Sequence, residues 1–589
     1  MHSLFNATKD NFYKVHTLEF HLFQTCISSS FSAICRSHEC AQFLCELNSV
    51  YFDLDACLAE IASSFEPRAC ILPGNVTANG DYAKPYLSNE YVLNCTKEAQ
   101  LTQLDQETGA LNFTKEGDKE NVLCFYSWIK RGEDDSSLVY SKPRRLYRSG
   151  LKFTADNYVA NITCYEYDRY PFVNIGRVYH ETHVWIPNFE HKTAKVGTNV
   201  LIVVIESLSH LNFLRLMPKT QAALKNLGHF QFMNGLTKVG DNSFPNSMAM
   251  IAGEISDMDY KYKGYWDKRL DYVWNKFNAK GYVTGFMEDF VPIGLFDYRR
   301  YGFAHSPTDF FPRPFWYHSF GEEWDLYKSM QNFTWFCFDK KGAKVEVFFN
   351  VLMAFIEKMN RHKKPYFMYS FYSQVTHENF NSVKMIDEYT ADFLSKVSKY
   401  LENTVLIFMG DHGPRFGGYV DTPLGRLEER MPLLAIRIPE SLNIEYPHLR
   451  KILNLNKDRL MTWFDIHAFL DDIAQEEYHF HPPTNLSSIN PTRAIIPANR
   501  TCKSALVSEM YCVCNDIVGV EPYYSSHVWR ACKKLINQFN VWLPNNCKPL
   551  KEKDLLSAEV SIFSISYLHY NIKSLTLPFF VQVSAAREK

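Results

Sequence analysis

Three short blocks of this 589-residue chain hold side chains whose types would let them share one cation. An apolar run from Val200 to Ile205 stops at Glu206-Ser207. A second block reads Asp241-Asn242-Ser243-Phe244-Pro245-Asn246 and leads into the apolar Met248-Ala249-Met250-Ile251-Ala252. A third apolar run, Thr404 to Met409, ends in Gly410-Asp411-His412-Gly413-Pro414-Arg415. Carboxylate oxygens from Glu206 and Asp411 with an imidazole nitrogen from His412 form a donor set suited to Zn²⁺ or Mn²⁺. Ser243, as a further ligand, would lose its proton more readily and act as a nucleophile. His377, in Ser373-Gln374-Val375-Thr376-His377, adds a candidate ligand near another strand end, though a satisfied buried histidine fits equally well. Arg415 suits a bidentate clamp on an anion, with a local carboxylate as the competing partner. Ser243 could also be no more than a helix N-cap, and Glu206 a capping acid.

Positioning these groups requires strand ends and a helix start. Runs rich in β-branched residues and bounded by polar residues read as strands buried on both faces. Further strands are expected at Gly281–Phe286 and Tyr366–Phe371. Helical patterns fall at Leu211–Leu227, Trp266–Ala279, Val345–Met359 and Lys384–Leu401. Strands alternating with helices specify a largely parallel sheet covered on both faces, with its site at the carboxyl ends of the strands. Gly413 allows a tight turn, Asp289 to Trp316 reads as a long ordered loop that could wall a pocket, and Glu428-Glu429-Arg430 reads as a solvated or structural ion-pair stretch.

The length predicts two or three domains. Hydrophobic residues at 46% and charged residues at 22% are ordinary globular values, and a net charge of −2 gives no reason to expect nucleic acid. Nine of the 15 cysteines precede residue 165 and five follow residue 501, leaving Cys337 alone between them. Such flanking clusters read as disulfides, with zinc as the weaker alternative because no paired Cys-x-x-Cys knuckles are present. The odd count leaves one thiol over, expected to be Cys337. Sequons at Asn6, Asn75, Asn94, Asn112, Asn161, Asn332, Asn485 and Asn499 agree with a secreted or luminal glycoprotein. No apolar stretch reaches the length of a membrane span. No secretory leader is evident either, which suggests that the true N-terminus lies outside this chain.

Residues 1–65 are Cys-rich with helical spacing around Phe43, Leu44, Leu47 and Leu54. Residues 66–195 alternate in short β-like runs and read as a β-rich accessory domain. Residues 196–495 carry the α/β pattern, and 496–589 read as a Cys-rich cap with strands at Val560–Tyr570 and Leu575–Val583.

Several blocks resemble the animal family known as domain of unknown function 229: Leu216-Met217-Pro218-Lys219-Thr220, Val239 to Asn246, Pro307-Thr308-Asp309, Asp411 to Gly417, Leu427 to Pro432, Asn499-Arg500-Thr501-Cys502 and Cys512-Val513-Cys514. The likeness spans about residues 70–550, and the order of acid, hydroxyl and Asp-His-Gly resembles the alkaline phosphatase and sulfatase superfamily. The resemblance implies an α/β fold with an alkaline-phosphatase-like, mostly parallel sheet flanked by helices, disulfide-bonded β-rich accessory regions, and an extracellular location. Ser243-Phe244-Pro245-Asn246 resembles the Thr-Phe-Pro-Asn block of nucleotide pyrophosphatases, which implies a nucleophile at Ser243 and a substrate contact at Asn246. Glu206, where the superfamily mostly has Asp, is similar to lipoteichoic acid synthases and phosphoethanolamine transferases. Sulfatases need Arg where Ser247 stands. Ser373 replaces the Asp of a second metal position, leaving Asp387, Asp392, His467, His479 and His481 as conceivable substitutes.

The expected function is metal-dependent hydrolysis or transfer at a phosphoester or related ester of a small molecule, lipid head group or glycan, with one metal position complete and a second incomplete. A catalytically silent binding protein and a sulfatase are the alternatives.

Overall fold

The computed structural model describes residues 68–73 and 83–514, except 120, 149, 168–173, 194–196, 255–261, 263, 292–293, 322–335 and 339–340. Beyond these it describes 516–520, 537, 540–541, 557–562 and 579–582. The Cys-rich segment 1–65 lies outside the described residues, as do most of both expected C-terminal strands, 560–570 and 575–583.

A five-stranded antiparallel sheet precedes the central one. Its strands are β1 (Val122–Arg131), β2 (Leu138–Tyr140), β3 (Arg144–Arg145), β4 (Val159–Tyr167) and β5 (Asn174–Val184), with β1 pairing β2, β3 and β4, and β4 pairing β5. Leu111, Cys124, Phe153, Ile162 and Cys164 fill a small core beneath it.

The central sheet is built from β6 (Asn199–Ile205), β7 (Phe230–Phe232), β8 (Val283–Glu288), β9 (Tyr366–Tyr372), β10 (Thr404–Met409) and β11 (Leu434–Arg437), in the order β7-β11-β10-β6-β9-β8. The four strands β8, β9, β6 and β10 are parallel, and β11 runs antiparallel beside β10. This is an α/β fold with a mixed, mostly parallel sheet. β6 is buried along its whole length because both faces are covered. Val200, Ile202 and Val204 enter one core while Leu201, Val203 and Ile205 enter the other, the period-two alternation of a strand. Between the strands run α1 (His210–Leu216), α2 (Pro218–Leu227), α3 (Ser243–Ile251), α4 (Val273–Ala279), α5 (Arg313–Gly321), α6 (Lys344–Arg361), α7 (Asp387–Val397), α8 (Pro423–Arg430) and α9 (Trp463–Gln475).

The single helix expected over Leu211–Leu227 is two. Pro218 has no N–H to continue α1 and instead opens α2 at its first turn. The pattern at Trp266–Ala279 likewise resolves into a 3₁₀ turn and the shorter α4.

Among the described residues four disulfides form: Cys70–Cys514, Cys95–Cys337, Cys124–Cys164 and Cys502–Cys512. Cys337 is therefore not a lone thiol, because Cys95, distant in sequence, reaches it. Cys502, Cys512 and Cys514 are bridged and are not zinc ligands. Four bridges place the chain in an oxidising, non-cytoplasmic compartment. No described helix is long and apolar enough to cross a membrane.

Candidate metal centre and nucleophile

Because β6, β8, β9 and β10 are parallel, their carboxyl ends share one edge of the sheet. The chain leaves β6 at Glu206-Ser207, β8 at Asp289, β9 at Ser373 and β10 at Gly410-Asp411-His412. Ser207 takes a left-handed φ of 60°, and this sharp exit points its N–H at Asp411 Oδ1, 3.0 Å away. The Asp411 carbonyl accepts from Trp463 Nε1 at 3.1 Å, so α9 fixes the β10 exit from outside. Gly413 is required by close approach and not by a left-handed turn. A Cβ there would lie 1.9 Å from the Glu428 carbonyl oxygen.

One donor atom each from Glu206, Asp411 and His412 lie within 4.8 Å of one another, and all three residues are buried. The His412 Nδ1 stands 2.7 Å from the Gly413 carbonyl, an acceptor, so Nδ1 carries the proton and Nε2 is left as a bare lone pair. Asp411 Oδ2 is buried with no hydrogen-bond partner, 3.4 Å from that lone pair. Burial, and after it the charge of Asp411, pushes the Glu206 carboxyl well above the ordinary range. Burial also lowers His412 to about 4, keeping the imidazole neutral. Two carboxylates and a lone pair thus converge with a single hydroxyl between them. A divalent cation fits this arrangement, since it gives the orphaned oxygen a partner and relieves the repulsion.

That hydroxyl belongs to Ser243, whose Oγ is 3.1 Å from Glu206 Oε1 and 3.3 Å from His412 Nε2. Ser243 is not the N-cap of α3. Asn242 takes that place by accepting from the Phe244 N–H at 3.2 Å, which leaves the serine hydroxyl to the site.

The remaining expected residues divide. His377 stands at the rim, with Nε2 3.7 Å from Glu206 Oε1 and Nδ1 2.7 Å from Glu378 Oε1. Arg415 lies beside Asp241, 3.6 Å from its Oδ2, so the local carboxylate claims it. Asn246 is enclosed. Its amide oxygen accepts from the N–H groups of Val239 and Gly240, and its nitrogen donates to the carbonyls of Gly240 and Asn242. That amide is fully committed to shaping the loop that presents Ser243, and it leaves nothing for a substrate.

Four of the five substitutes for a second metal position form hydrogen bonds or ion pairs away from it, and the fifth, His479, makes a ring contact. Asp387 caps α2 through Lys219 and Thr220, Asp392 pairs with Lys396, and His467 bonds the Met250 carbonyl. His481 bonds the Pro482 carbonyl and His479 packs against Tyr446. Glu428 is buried and not solvated, accepting from Ser209 Oγ at 2.7 Å and pairing with Arg215.

Asp289 was not apparent in the sequence pattern. Its carboxylate receives the Ser373 N–H at 2.7 Å, the Ser373 hydroxyl at 3.2 Å and the Gln374 N–H at 3.1 Å, and so holds the β9 exit against β8. Burial raises it to about 6 despite those bonds. The only available signal was an acid at the end of an apolar run, the same signal that marks Glu206.

A family model described as protein of unknown function (DUF229) matches residues 88–555, which include every residue of this cluster. The chain belongs to the DUF229 family. No curated protein matches the DUF229 chain. Among solved structures it is similar to a protein in the alkaline phosphatase superfamily from Vibrio parahaemolyticus, at 15% identity and a TM-score of 0.29, covering 42% of this chain and 62% of that one. It is also similar to the C-terminal periplasmic domain of EcEptC from Escherichia coli in complex with Zn, at 11% identity and a TM-score of 0.32, covering 47% and 82%. A third is the lipoteichoic acid synthase LtaP from Listeria monocytogenes, at 11% identity and a TM-score of 0.30, covering 56% and 80%. The DUF229 chain thus spans less than two thirds of the Vibrio protein's length.

Proposed function

We propose that this chain is an extracellular metal-dependent hydrolase or transferase that acts on a phosphoester or related ester through Ser243. The observation carrying this reading is the position of the Ser243 hydroxyl, 3.1 Å from Glu206 and 3.3 Å from a deprotonated His412 nitrogen, beside a buried carboxylate oxygen without a partner. Glu206, Asp411 and His412 would hold one Zn²⁺ or Mn²⁺, which when bound supplies Lewis acidity and lowers the pKa of a ligating hydroxyl.

The chain's own groups do the rest. Ser243 donates its proton to Glu206 Oε1 and so keeps its lone pairs free for an incoming ester. As the first residue of α3 it sits where the helix's positive end favours an anionic substrate. Attack forms a bond from Oγ to the ester centre and breaks the bond to the leaving alcohol. Water or an acceptor alcohol then displaces Ser243. His377 stands beside Glu206 and would touch the leaving or transferred group, and Arg415 would do so on exchanging Asp241 for the substrate's anion. A lipid head group or glycan ester is the substrate class this reading favours. The accessory β-rich region 66–195 and the cap 496–589 would frame the α/β domain 196–495.

Measuring bound metal by mass spectrometry on the purified chain, together with turnover of an aryl phosphodiester and aryl sulfate panel, tests this reading. Wild type is expected to hold about one equivalent of metal, and Ser243→Ala to lose at least about a thousandfold in kcat. Metal-free protein with no Ser243-dependent turnover would instead support a silent binding protein on this fold. The commitment of Asn246 to the loop and the use of Ser373 by Asp289 are the observations that favour that second reading. Sulfatase activity would require formylglycine at position 243, which intact mass would reveal.

A further inference from the structure

The antiparallel sheet carries a feature that the metal centre does not use. Between residues 142 and 152 stand Lys142, Arg144, Arg145, Arg148 and Lys152, with no acid among them. Arg148 is spent on Asp118, and Lys152 on the Thr108 carbonyl. Arg144 and Arg145, adjacent on β3 and both exposed, form no ion pair with a described residue. β3 pairs with β1 so that Arg144 lies opposite Tyr126, and Arg145 opposite Phe125. Beside this pair opens a cleft of about 380 Å³ lined by Arg144, Arg145, Tyr126, Tyr147 and Gly150. Tyr147 is 64% exposed, and the Arg145 guanidinium lies 5.6 Å from the centre of its ring.

Cations on a short edge strand also serve to discourage edge-to-edge pairing. That explains the arginines but neither the exposed tyrosine nor the concavity. The whole chain has a net charge of −2, so this concentration of positive charge is local. Planar guanidinium forks match sulfate and carboxylate oxygens in pairs. The electron-rich face of a tyrosine suits the C–H edge of a sugar ring. The cleft volume lies in the lower part of the range of small-ligand sites.

We propose that this cleft binds an anionic oligosaccharide, its sulfate or carboxylate gripped by Arg144 and Arg145 while a sugar ring lies on Tyr147. The site is separate from the metal centre and does not depend on the catalytic reading. Partners carrying such glycans would anchor the chain without occupying Ser243.

Calorimetric titration of the full chain with a heparin-derived tetrasaccharide, in about 0.15 M salt, tests this. The tetrasaccharide should bind wild type, and its fully desulfated counterpart should not. Arg144→Ala/Arg145→Ala should weaken binding by at least about tenfold, the loss of two charge-assisted contacts, and Tyr147→Ala by a smaller factor. Lys225→Ala/Lys503→Ala, which removes two exposed charges elsewhere, should leave affinity unchanged. If the double alanine variant misfolds by circular dichroism, Arg144→Gln and Arg145→Gln singly should each weaken binding. Wild-type affinity in the arginine variants, equal loss in the lysine control, or no binding by wild type would overturn the proposal. Equal affinity for inorganic sulfate alone or for single-stranded DNA of matched charge would overturn it too.

Discussion

Replacing Asp411 by Asn should change stability in opposite directions with and without metal. Donor atoms of Glu206 and Asp411 lie within 4.8 Å of each other in a buried site. Two unit charges at that separation repel by about 3 kcal/mol at an effective dielectric of ~20. Glu206 escapes part of this by holding its proton, so neutralising Asp411 in chelated protein should stabilise by about 1–2 kcal/mol. The Ser207 N–H keeps its partner, because Asn retains an oxygen at the same place, and the new amide N–H can face Glu206. A metal at 100 times its dissociation constant stabilises the native state by about 2.7 kcal/mol. Asp411→Asn should forfeit most of that, ending about 1 kcal/mol below wild type when Zn²⁺ is present. Urea unfolding followed by tryptophan fluorescence, in EDTA and in Zn²⁺, reads both signs. Equal destabilisation in both buffers would mean that Asp411 is a structural acceptor, and the metal-site reasoning would fall.

Three further outcomes follow from the same geometry. Arg500 and Asp465 form a buried bidentate pair, both bonds 2.8 Å, and Arg500 also donates to the carbonyls of Leu460, Leu486 and Ser487. Arg500→Leu should cost about 3–5 kcal/mol in urea unfolding, and adding Asp465→Asn should recover part of it. Gly413→Ala would place its Cβ 1.9 Å from the Glu428 carbonyl oxygen; about 1–3 kcal/mol of stability should be lost, and metal affinity, read by competition with a chromogenic chelator, should fall about 10- to 100-fold. Burial, then the charge of Asp297, pushes Glu288 up to about 8 from 4.5. The folded state therefore holds this proton more tightly than the unfolded chain, a contribution present in full below pH 4.5 and lost as pH rises to about 8. Glu288→Gln should flatten that decline in a pH series of denaturation midpoints.

The strands that place Glu206, Asp411 and His412 were legible because each is a continuous apolar run stopped by a polar residue. Thr404–Met409 appears as a strand with those very bounds. β11 was not legible, since four residues ending in Arg437 carry no period. The break between α1 and α2 was marked by Pro218, whose missing N–H matters only when a helix must continue through it. Asp289 depends on a turn 84 residues away, and Cys337 on a cysteine 242 residues away. Neither separation leaves a trace in local composition. Ser243 illustrates the middle ground, because its chemistry could be read from its type while its freedom from capping depended on Asn242.

The disulfide pattern imposes an order on how the chain matures. Cys124 and Cys164, 40 residues apart on neighbouring strands, can close soon after both emerge from the ribosome. Cys95 must wait 242 residues for Cys337, and Cys70 must wait 444 residues for Cys514. At ordinary synthesis rates the last interval is roughly 20–90 s. During it a reactive thiol at residue 70 meets each later cysteine as it is made, the last before Cys514 being Cys502 and Cys512, whose sulfurs lie within 4.8 Å of that of Cys514. The strands that carry Glu206, Asp411 and His412 are therefore complete before the Cys70–Cys514 bridge can form. The yield of correctly bridged chain should depend on a disulfide isomerase more than on the folding speed of the sheet.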